Sequence, residues 1–232
     1  MSAIIVIPTY NEKENVDPLF KEIFRVAPDI SVLIVDDSSP DGTGEEVKKL
    51  QQTYPRLFLL TRAVKDGLGN AYKAGFKKVM QDWPDTDVVM MMDADFYHDP
   101  SYLPELLRNA EQTDMIIGSV HAKGGSMPKS FPLSRKLLSW GGNWYCRLLF
   151  RYPLTDWTNA FVAIRMPALR KIDLDALHTK EFAFVFGFKY KLLQSGATWK
   201  DIPVVAHERT AGQSKVALRT IQEALLAPWK LL

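Results

Sequence analysis

The chain has 232 residues, 47% of them hydrophobic and 24% charged. This fits a single α/β domain with enough interior to fold without disulfides. A formal charge of +2 is too close to zero to indicate a nucleic-acid partner, although local basic patches can still meet anionic ligands or a lipid surface. The lone cysteine, Cys146, excludes an intramolecular disulfide or a multi-cysteine metal site and fits a reducing cytosolic setting; its aromatic, apolar surroundings read as a packed thiol.

The N-terminus enters Ala3-Ile4-Ile5-Val6-Ile7 directly, with no charged leader ahead of a signal-type apolar core, so it reads as mature and folded. No apolar run reaches the ~18 to 20 residues that span a bilayer. Any membrane contact is expected to be peripheral.

Short apolar, often β-branched runs recur at Ile4 to Ile7, Val32 to Val35, Leu57 to Leu60, Val88 to Met92 and Met115 to Ile117. They are continuous, not alternating, which predicts strands covered on both faces. Between them lie helical patterns: Val16, Leu19, Phe20, Ile23 and Phe24; then Val47, Leu50 and Tyr54 behind a capping box at Thr43 and Glu46; then Leu68 to Gln81. Strand alternating with helix predicts a mostly parallel sheet flanked by helices, with ligands at the carboxyl ends of the strands.

Polar clusters occur at those ends. Pro8-Thr9-Tyr10-Asn11-Glu12 follows the first run, Asp36-Asp37-Ser38-Ser39-Pro40-Asp41-Gly42 the second and Asp93-Ala94-Asp95 the fourth. Two carboxylates one residue apart, forced inward by Val88 to Met92, can share a hard cation whose other positions go to diphosphate oxygens and water; the bland alternative is a solvated turn. Asp37 is placed to accept from a ribose or base, and Asp41 to form a turn. Tyr10 offers a face to a base or ribose, and Glu12 a carboxylate to a hydroxyl or simply a favourable charge at a helix N-terminus. Arg62, Lys65 and Gly67-Leu68-Gly69 form a basic loop before a helix, and Arg209 and Lys215 flank a second. Either can clamp phosphates or stay solvated.

Beyond about residue 120 the rhythm changes. Gly124 to Pro132 is rich in Gly, Pro and Ser, and Phe131 to Phe150 in aromatic and basic residues. Leu133, Leu137, Leu138, Trp140, Trp144, Leu148 and Leu149 beside Arg135, Lys136 and Arg147 suit a helix lying in a membrane interface, with a buried helix as the alternative. The tail from Val216 to Leu232 reads similarly.

Taken in order, Pro8 to Glu12, Val35 to Thr43, Arg62 with Lys65 to Gly69, Asp93-Ala94-Asp95 and Arg209 to Lys215 resemble the polyprenyl-phosphate branch of glycosyltransferase family two, specifically the dolichyl-phosphate mannosyltransferases. The resemblance implies one GT-A catalytic domain over residues 1–232, a Rossmann-like α/β fold with a nucleotide-sugar-binding half (1–119) and an acceptor-side half (120–232). It implies inverting, metal-dependent transfer of a hexose, mannose from GDP-mannose, to a polyprenyl phosphate with Mg²⁺ or Mn²⁺. The setting it implies is peripheral, on the cytoplasmic side of a membrane, alone or with a membrane subunit or a second copy. Nucleotide contacts fall to Pro8, Tyr10, Glu12, Val35, Asp37 and Ala94, metal contacts to Asp93 and Asp95, and phosphate contacts to Arg135, Arg209 and Lys215. Asp95, Arg135, Arg209 and Lys215 form the expected catalytic set.

Three positions depart from the family pattern. Phe96-Tyr97-His98 stands where Leu-Gln-His is usual, Val120-His121 where an Arg follows Gly-Ser, and Asp156-Trp157-Thr158-Asn159-Ala160-Phe161 where a Thr-Ser-Gly-Phe stretch is expected. Alternatives are therefore kept open: another donor such as UDP-glucose, a non-catalytic nucleotide-sugar-binding subunit, or a nucleotidyltransferase.

Overall fold

The computed structural model describes residues 1–179, 183–208, 225–229 and 231. Strands and helices alternate through the first half: β1 (Ala3–Thr9), α1 (Lys13–Val26), β2 (Ser31–Asp36), α2 (Thr43–Leu50), β3 (Leu57–Thr61), α3 (Leu68–Asp82) and β4 (Val88–Met91). A 3-10 turn (Pro100–Tyr102) then runs into α4 (Leu103–Asn109), followed by β5 (Met115–Ser119) and the long α5 (Leu133–Phe150). The remainder comprises β6 (Val162–Arg165), α6 (Met166–Leu169), α7 (Ala183–Gln194) and β7 (Trp199–Pro203). Residues 225–229 are helical.

All seven strands share one sheet in the order β3-β2-β1-β4-β6-β5-β7. Every pairing is parallel except those of β6, which runs antiparallel to both β4 and β5. β6 comes from the second half of the chain yet lies between two strands of the first. The five strands expected from apolar runs all form. β6, β7 and α7 were not anticipated, because Val162–Arg165 is too short to stand out and α7 is apolar on every side, which erases the helical period.

Successive strand residues point to opposite faces. Ile4, Val6, Leu33 and Val35 pack with α3 and α7, while Ile5, Ile7, Val32 and Ile34 pack with α1, α2 and α4. Helix α3 comes unusually close: a Cβ added at Gly75 would lie 2.4 Å from Val6 Cγ1 and 3.1 Å from Val35 Cγ2.

The expected capping box at Thr43 and Glu46 does not form. Gly42 is the N-cap in a left-handed conformation, and Asp41 accepts from the Thr43 amide at 2.9 Å. Thr43 Oγ1 instead accepts from the Glu12 amide at 3.0 Å, tying the loops after β1 and β2 together. Among the described residues no helix is long and apolar enough to cross a membrane.

Candidate active site

The register pairs Thr9 with Asp36 and Asp36 with Thr61, so β1, β2 and β3 end level and their loops share one edge of the sheet. Asp36 is consumed internally: Oδ1 accepts from Thr9 Oγ1 at 2.9 Å and Ser39 Oγ at 2.6 Å, and Oδ2 from the Ser39 amide at 3.0 Å. That network aims Asp37 the other way. Three non-glycine residues with positive φ, Asn11, Ser38 and Phe96, sit one each in the loops after β1, β2 and β4. Backbone strain of this kind concentrates where loops are shaped for a ligand.

Asp37 is buried beside Arg62, with Arg62 Nε 3.1 Å from Asp37 Oδ1. The approach lacks hydrogen-bond alignment, and both Asp37 Oδ1 and Arg62 Nη1 are buried without a hydrogen-bond partner. Burial raises the Asp37 carboxyl above its ordinary value and the Arg62 charge only partly offsets this. Arg62 also pairs with Asp66. Unsatisfied buried groups at a strand end are free to pair with a polar ligand.

Around them, the Lys65 ammonium covers one face of the Tyr10 ring at 3.6 Å. Glu12 is the N-cap residue of α1 and accepts from Asn15 Nδ2 at 2.8 Å. The Val35 side chain is buried in the core against α3, so a ligand at this position meets its backbone. Pro8 is partly buried one register step from the end of β1.

The Asp93-Ala94-Asp95 turn leaves β4 at the middle of the sheet. Asp95 is buried, and its Oδ1 accepts from the Tyr97 amide at 3.1 Å across Phe96. Beneath the turn, the Asp93 amide donates to His98 Nδ1 at 3.0 Å, and the fully buried Tyr72 hydroxyl donates to Met92 O at 3.3 Å. Burial drives the Tyr72 phenol well above its ordinary value, and the charges of Asp93 and Asp95 push it further. Asp95 is thus a buried carboxylate beside the partly exposed Asp93, and the pair places negative charge at the lip of the sheet, a setting that suits a hard cation. Among the described residues no group of three or more His, Cys, Asp or Glu side chains is arranged to hold a metal. An ion at Asp93 and Asp95 would complete its oxygen shell from substrate and water, the habit of Mg²⁺-type ions at phosphates.

A cavity of 540 Å³ opens beside the turn, with Asp93, Tyr97, Val120, Arg135, Asp156 and Asn159 among its lining residues. Its far wall is apolar, from Leu137, Leu138, Trp144, Val185, Phe186 and Leu225. Asp93 and Arg135, far apart in sequence, therefore face one space. Tyr97 stands in the wall and stacks on Phe131. His121 is held by Ser139 Oγ at 3.0 Å, and its imidazole is pushed down by burial. Arg209 and Lys215 lie outside the described residues.

Sequence reasoning missed Tyr72, Asn159 and Lys189. Tyr72 looked like an ordinary core position of α3. Lys189 carried a signal, a single cation within Ala183 to Tyr190 of an otherwise apolar segment. Asn159 had none beyond its departure from the family pattern.

A parallel sheet with an antiparallel β6, acidic groups at three strand ends and a cleft opening toward α5 is the GT-A arrangement of a glycosyltransferase. Residues 4–174 match the model of glycosyl transferase family 2, and the chain belongs to that family. It is 38% identical over 226 residues to an undecaprenyl-phosphate mannosyltransferase from Micrococcus luteus, covering 97% of this chain and 92% of that one. A polyprenol monophosphomannose synthase from Mycolicibacterium smegmatis is 35% identical over 233 residues, covering 97% and 86%. A dolichol-phosphate mannosyltransferase from Pyrococcus furiosus is 31% identical over 241 residues, covering all of this chain and 64% of that one. Among solved structures, a mannosyltransferase from Pyrobaculum calidifontis in complex with GDP-Man and Mn²⁺ superposes with a TM-score of 0.64 at 16% identity, covering 98% of this chain and 63% of that one. Glucosyl-3-phosphoglycerate synthase from Mycobacterium tuberculosis, with Mn²⁺ and UDP, gives 0.62 at 13% identity, covering 99% and 77%. These structures establish the fold.

Proposed function

We propose that this glycosyltransferase moves mannose from GDP-mannose onto the phosphate of a polyprenyl, dolichyl-type lipid, with inversion at the sugar carbon and with Mg²⁺ or Mn²⁺ as cofactor. The observation carrying this reading is a single cavity that joins Asp93, Arg135 and an apolar wall. A donor diphosphate, an anionic acceptor and a hydrocarbon chain need those three features side by side. The names of the three relatives support mannose and a polyprenyl phosphate.

Residues 1–119 take the donor in this reading. Asp37, backed by Arg62, accepts from the ribose or base; Pro8, Tyr10 and Glu12 line the nucleotide, with the backbone of Val35 and Ala94. Asp93 and Asp95 would hold the divalent ion, which would supply the positive charge that the diphosphate leaving group needs. Residues 120–232 take the acceptor. A lipid monophosphate is already anionic at neutral pH and attacks without a general base. What it requires is positive charge to overcome repulsion between two phosphates, supplied by Arg135 with Arg209 and Lys215. The apolar wall keeps water from competing for the sugar.

The outer face of α5 supports peripheral attachment at the cytoplasmic side of a membrane. Leu133, Trp140 and Trp144 are 71%, 63% and 65% exposed. Between Asp114 and Asp156 the sequence has six lysines and arginines and no acidic residue, the composition of an interfacial helix on anionic lipid.

A panel of nucleotide sugars offered with polyprenyl phosphate and Mg²⁺ or Mn²⁺, read by product mass, tests the proposal. Mannosyl-phosphate lipid and GDP are expected. Turnover of UDP-glucose alone would replace the donor, and a nucleotide sugar with pyrophosphate would point to a nucleotidyltransferase. If no donor is consumed or bound, the reading fails.

A further inference from the structure

Among the described residues Lys189 is the only buried lysine or arginine, at 0% exposure. It lies on α7 among Phe184, Val185, Phe186, Phe188 and Tyr190, all buried. An ammonium there is costly unless its hydrogen bonds are met. Its Nζ donates to two backbone carbonyls, Asp156 O and Asn159 O, both at 2.8 Å. The same loop is closed by the Asp156 carboxylate: Oδ1 accepts from the Asn159 amide at 3.0 Å and the Thr158 amide at 3.2 Å, and Oδ2 from the Val120 amide at 3.3 Å.

From this loop the Asn159 side chain reaches toward β4. Its Nδ2 donates to Gly118 O at 2.7 Å, which turns Oδ1 toward His98 Nε2 at 2.5 Å. His98 Nε2 therefore carries the hydrogen and Nδ1 is the acceptor, the arrangement that lets it take the Asp93 amide at 3.0 Å. Phe161 stacks under the imidazole at 5.0 Å with the rings 7° apart. Lys189 holds the Asn159 backbone, whose side chain holds the buried His98, and His98 in turn meets the part-buried Asp93 amide, so the four residues form one linked path.

We infer that Lys189 is a positioning residue for the Asp93-Ala94-Asp95 turn, acting through Asn159 and His98. The inference rests on the proposed role of that turn in holding a cation. Two mutually repelling carboxylates, with Phe96 in a left-handed conformation beside them, need an anchor beneath. His98 supplies it only in one tautomer and one orientation, which Asn159 sets. Asn159 holds that orientation because its own carbonyl and that of Asp156 are pinned by one ammonium. Desolvation lowers the Lys189 amine to about 8; a neutral amine keeps two N–H groups, so both carbonyl bonds survive deprotonation.

The test measures Mn²⁺ binding to the full chain in the presence of GDP, by the electron paramagnetic resonance signal of free Mn²⁺, alongside thermal melting. Lys189→Met is expected to weaken Mn²⁺ binding about ten-fold, a common cost of losing support behind a metal ligand. Lys189→Gln keeps two N–H donors and is expected to recover most of the loss. In a His98→Leu background, Lys189→Met should weaken binding less than about two-fold, because the path is already cut. Asn159→Leu, which cuts the path while leaving Lys189 its carbonyl acceptors, should match Lys189→Met and carries the test if that variant has no cooperative melt. Wild-type affinity in Lys189→Met or Asn159→Leu, or an undiminished Lys189→Met effect without His98, overturns the path alone. No binding by the wild type, or full binding by Asp95→Ala, removes the metal reading and the positioning role with it.

Discussion

The Arg135 guanidinium lies over the Phe131 ring at 3.7 Å from its centroid, and the other partner of that ring is Tyr97, stacked 6.0 Å away with planes 6° apart. The cation proposed for the acceptor phosphate is thus oriented by a stack that ends two residues past Asp95. A planar guanidinium can use this surface and a lysine ammonium cannot use it equally. Arg135→Ala is expected to lower kcat/KM for the lipid phosphate about 100-fold, the loss of one or two charge-assisted hydrogen bonds. Nucleotide affinity should stay unchanged. Arg135→Lys should recover only part of the activity, as steady-state kinetics with varied acceptor will show.

Asp37→Asn keeps the shape of the nucleotide site and removes its buried charge. Donor affinity, measured by calorimetry with GDP, is expected to fall about ten-fold, within the range for a lost charged hydrogen bond. Burial raises the Asp37 carboxyl, so wild-type affinity should decline on acidification at a higher pH than an ordinary aspartate would give. Asp37→Asn should lose that component of the pH profile.

Lys189 and Cys146 shape alkaline stability in opposite directions. Lys189 titrates near 8 in the fold against about 10.4 in an unfolded chain. Across that window the unfolded state binds more protons, so stability rises with pH. The Cys146 thiol is pushed up to about 12 by burial against about 8.5 unfolded. There the folded state holds the extra proton, and stability falls with pH. Urea titrations should show Cys146→Ala gaining on the wild type above about pH 8.5 and Lys189→Met losing on it from about pH 8, each by on the order of 2 kcal/mol.

Gly75→Ala adds a methyl where Val6 Cγ1 would be 2.4 Å away. The gain in helix propensity, about 1 kcal/mol, is smaller than the cost of forcing α3 off the sheet, so a net loss of about 2 kcal/mol in urea unfolding is expected. Val35, at the end of β2, shares this contact, so nucleotide binding should weaken as well.

Leu133→Ser and Trp140→Ser together remove two exposed apolar side chains from α5, neither of which lines the cavity. Affinity for anionic vesicles, read by co-sedimentation, is expected to drop by a factor on the order of 100 to 1,000, since each buried apolar side chain contributes on the order of 2 kcal/mol. Turnover of a short, water-soluble polyprenyl phosphate should change little.

Much of the first half's strand-end geometry was legible in the sequence, because a strand buried on both faces writes itself as a continuous apolar run and the polar residues that follow must lie at its carboxyl end. Asp93 and Asp95 after Val88 to Met91 are an instance. Asp36 and Asp37 look equivalent in sequence, and only the network of Thr9 and Ser39 shows that Asp36 is consumed within the fold while Asp37 is not. The acceptor side was less legible. α7 buries its whole circumference, so no period betrays it, and Asn159 acts through contacts with His98 and Gly118, each at least 40 residues away in the chain.

The insertion of β6 between β4 and β5 also separates, in the order of synthesis, strands that end up side by side. As the chain leaves the ribosome, β4 and β5 emerge well before the strand that joins them, so β4 waits with an open apolar edge while α5 is synthesised. The Asp93 turn leans on Asn159 from the loop before β6 and, through it, on Lys189 from α7, so the supports of the turn are synthesised after the loops that follow β1, β2 and β3.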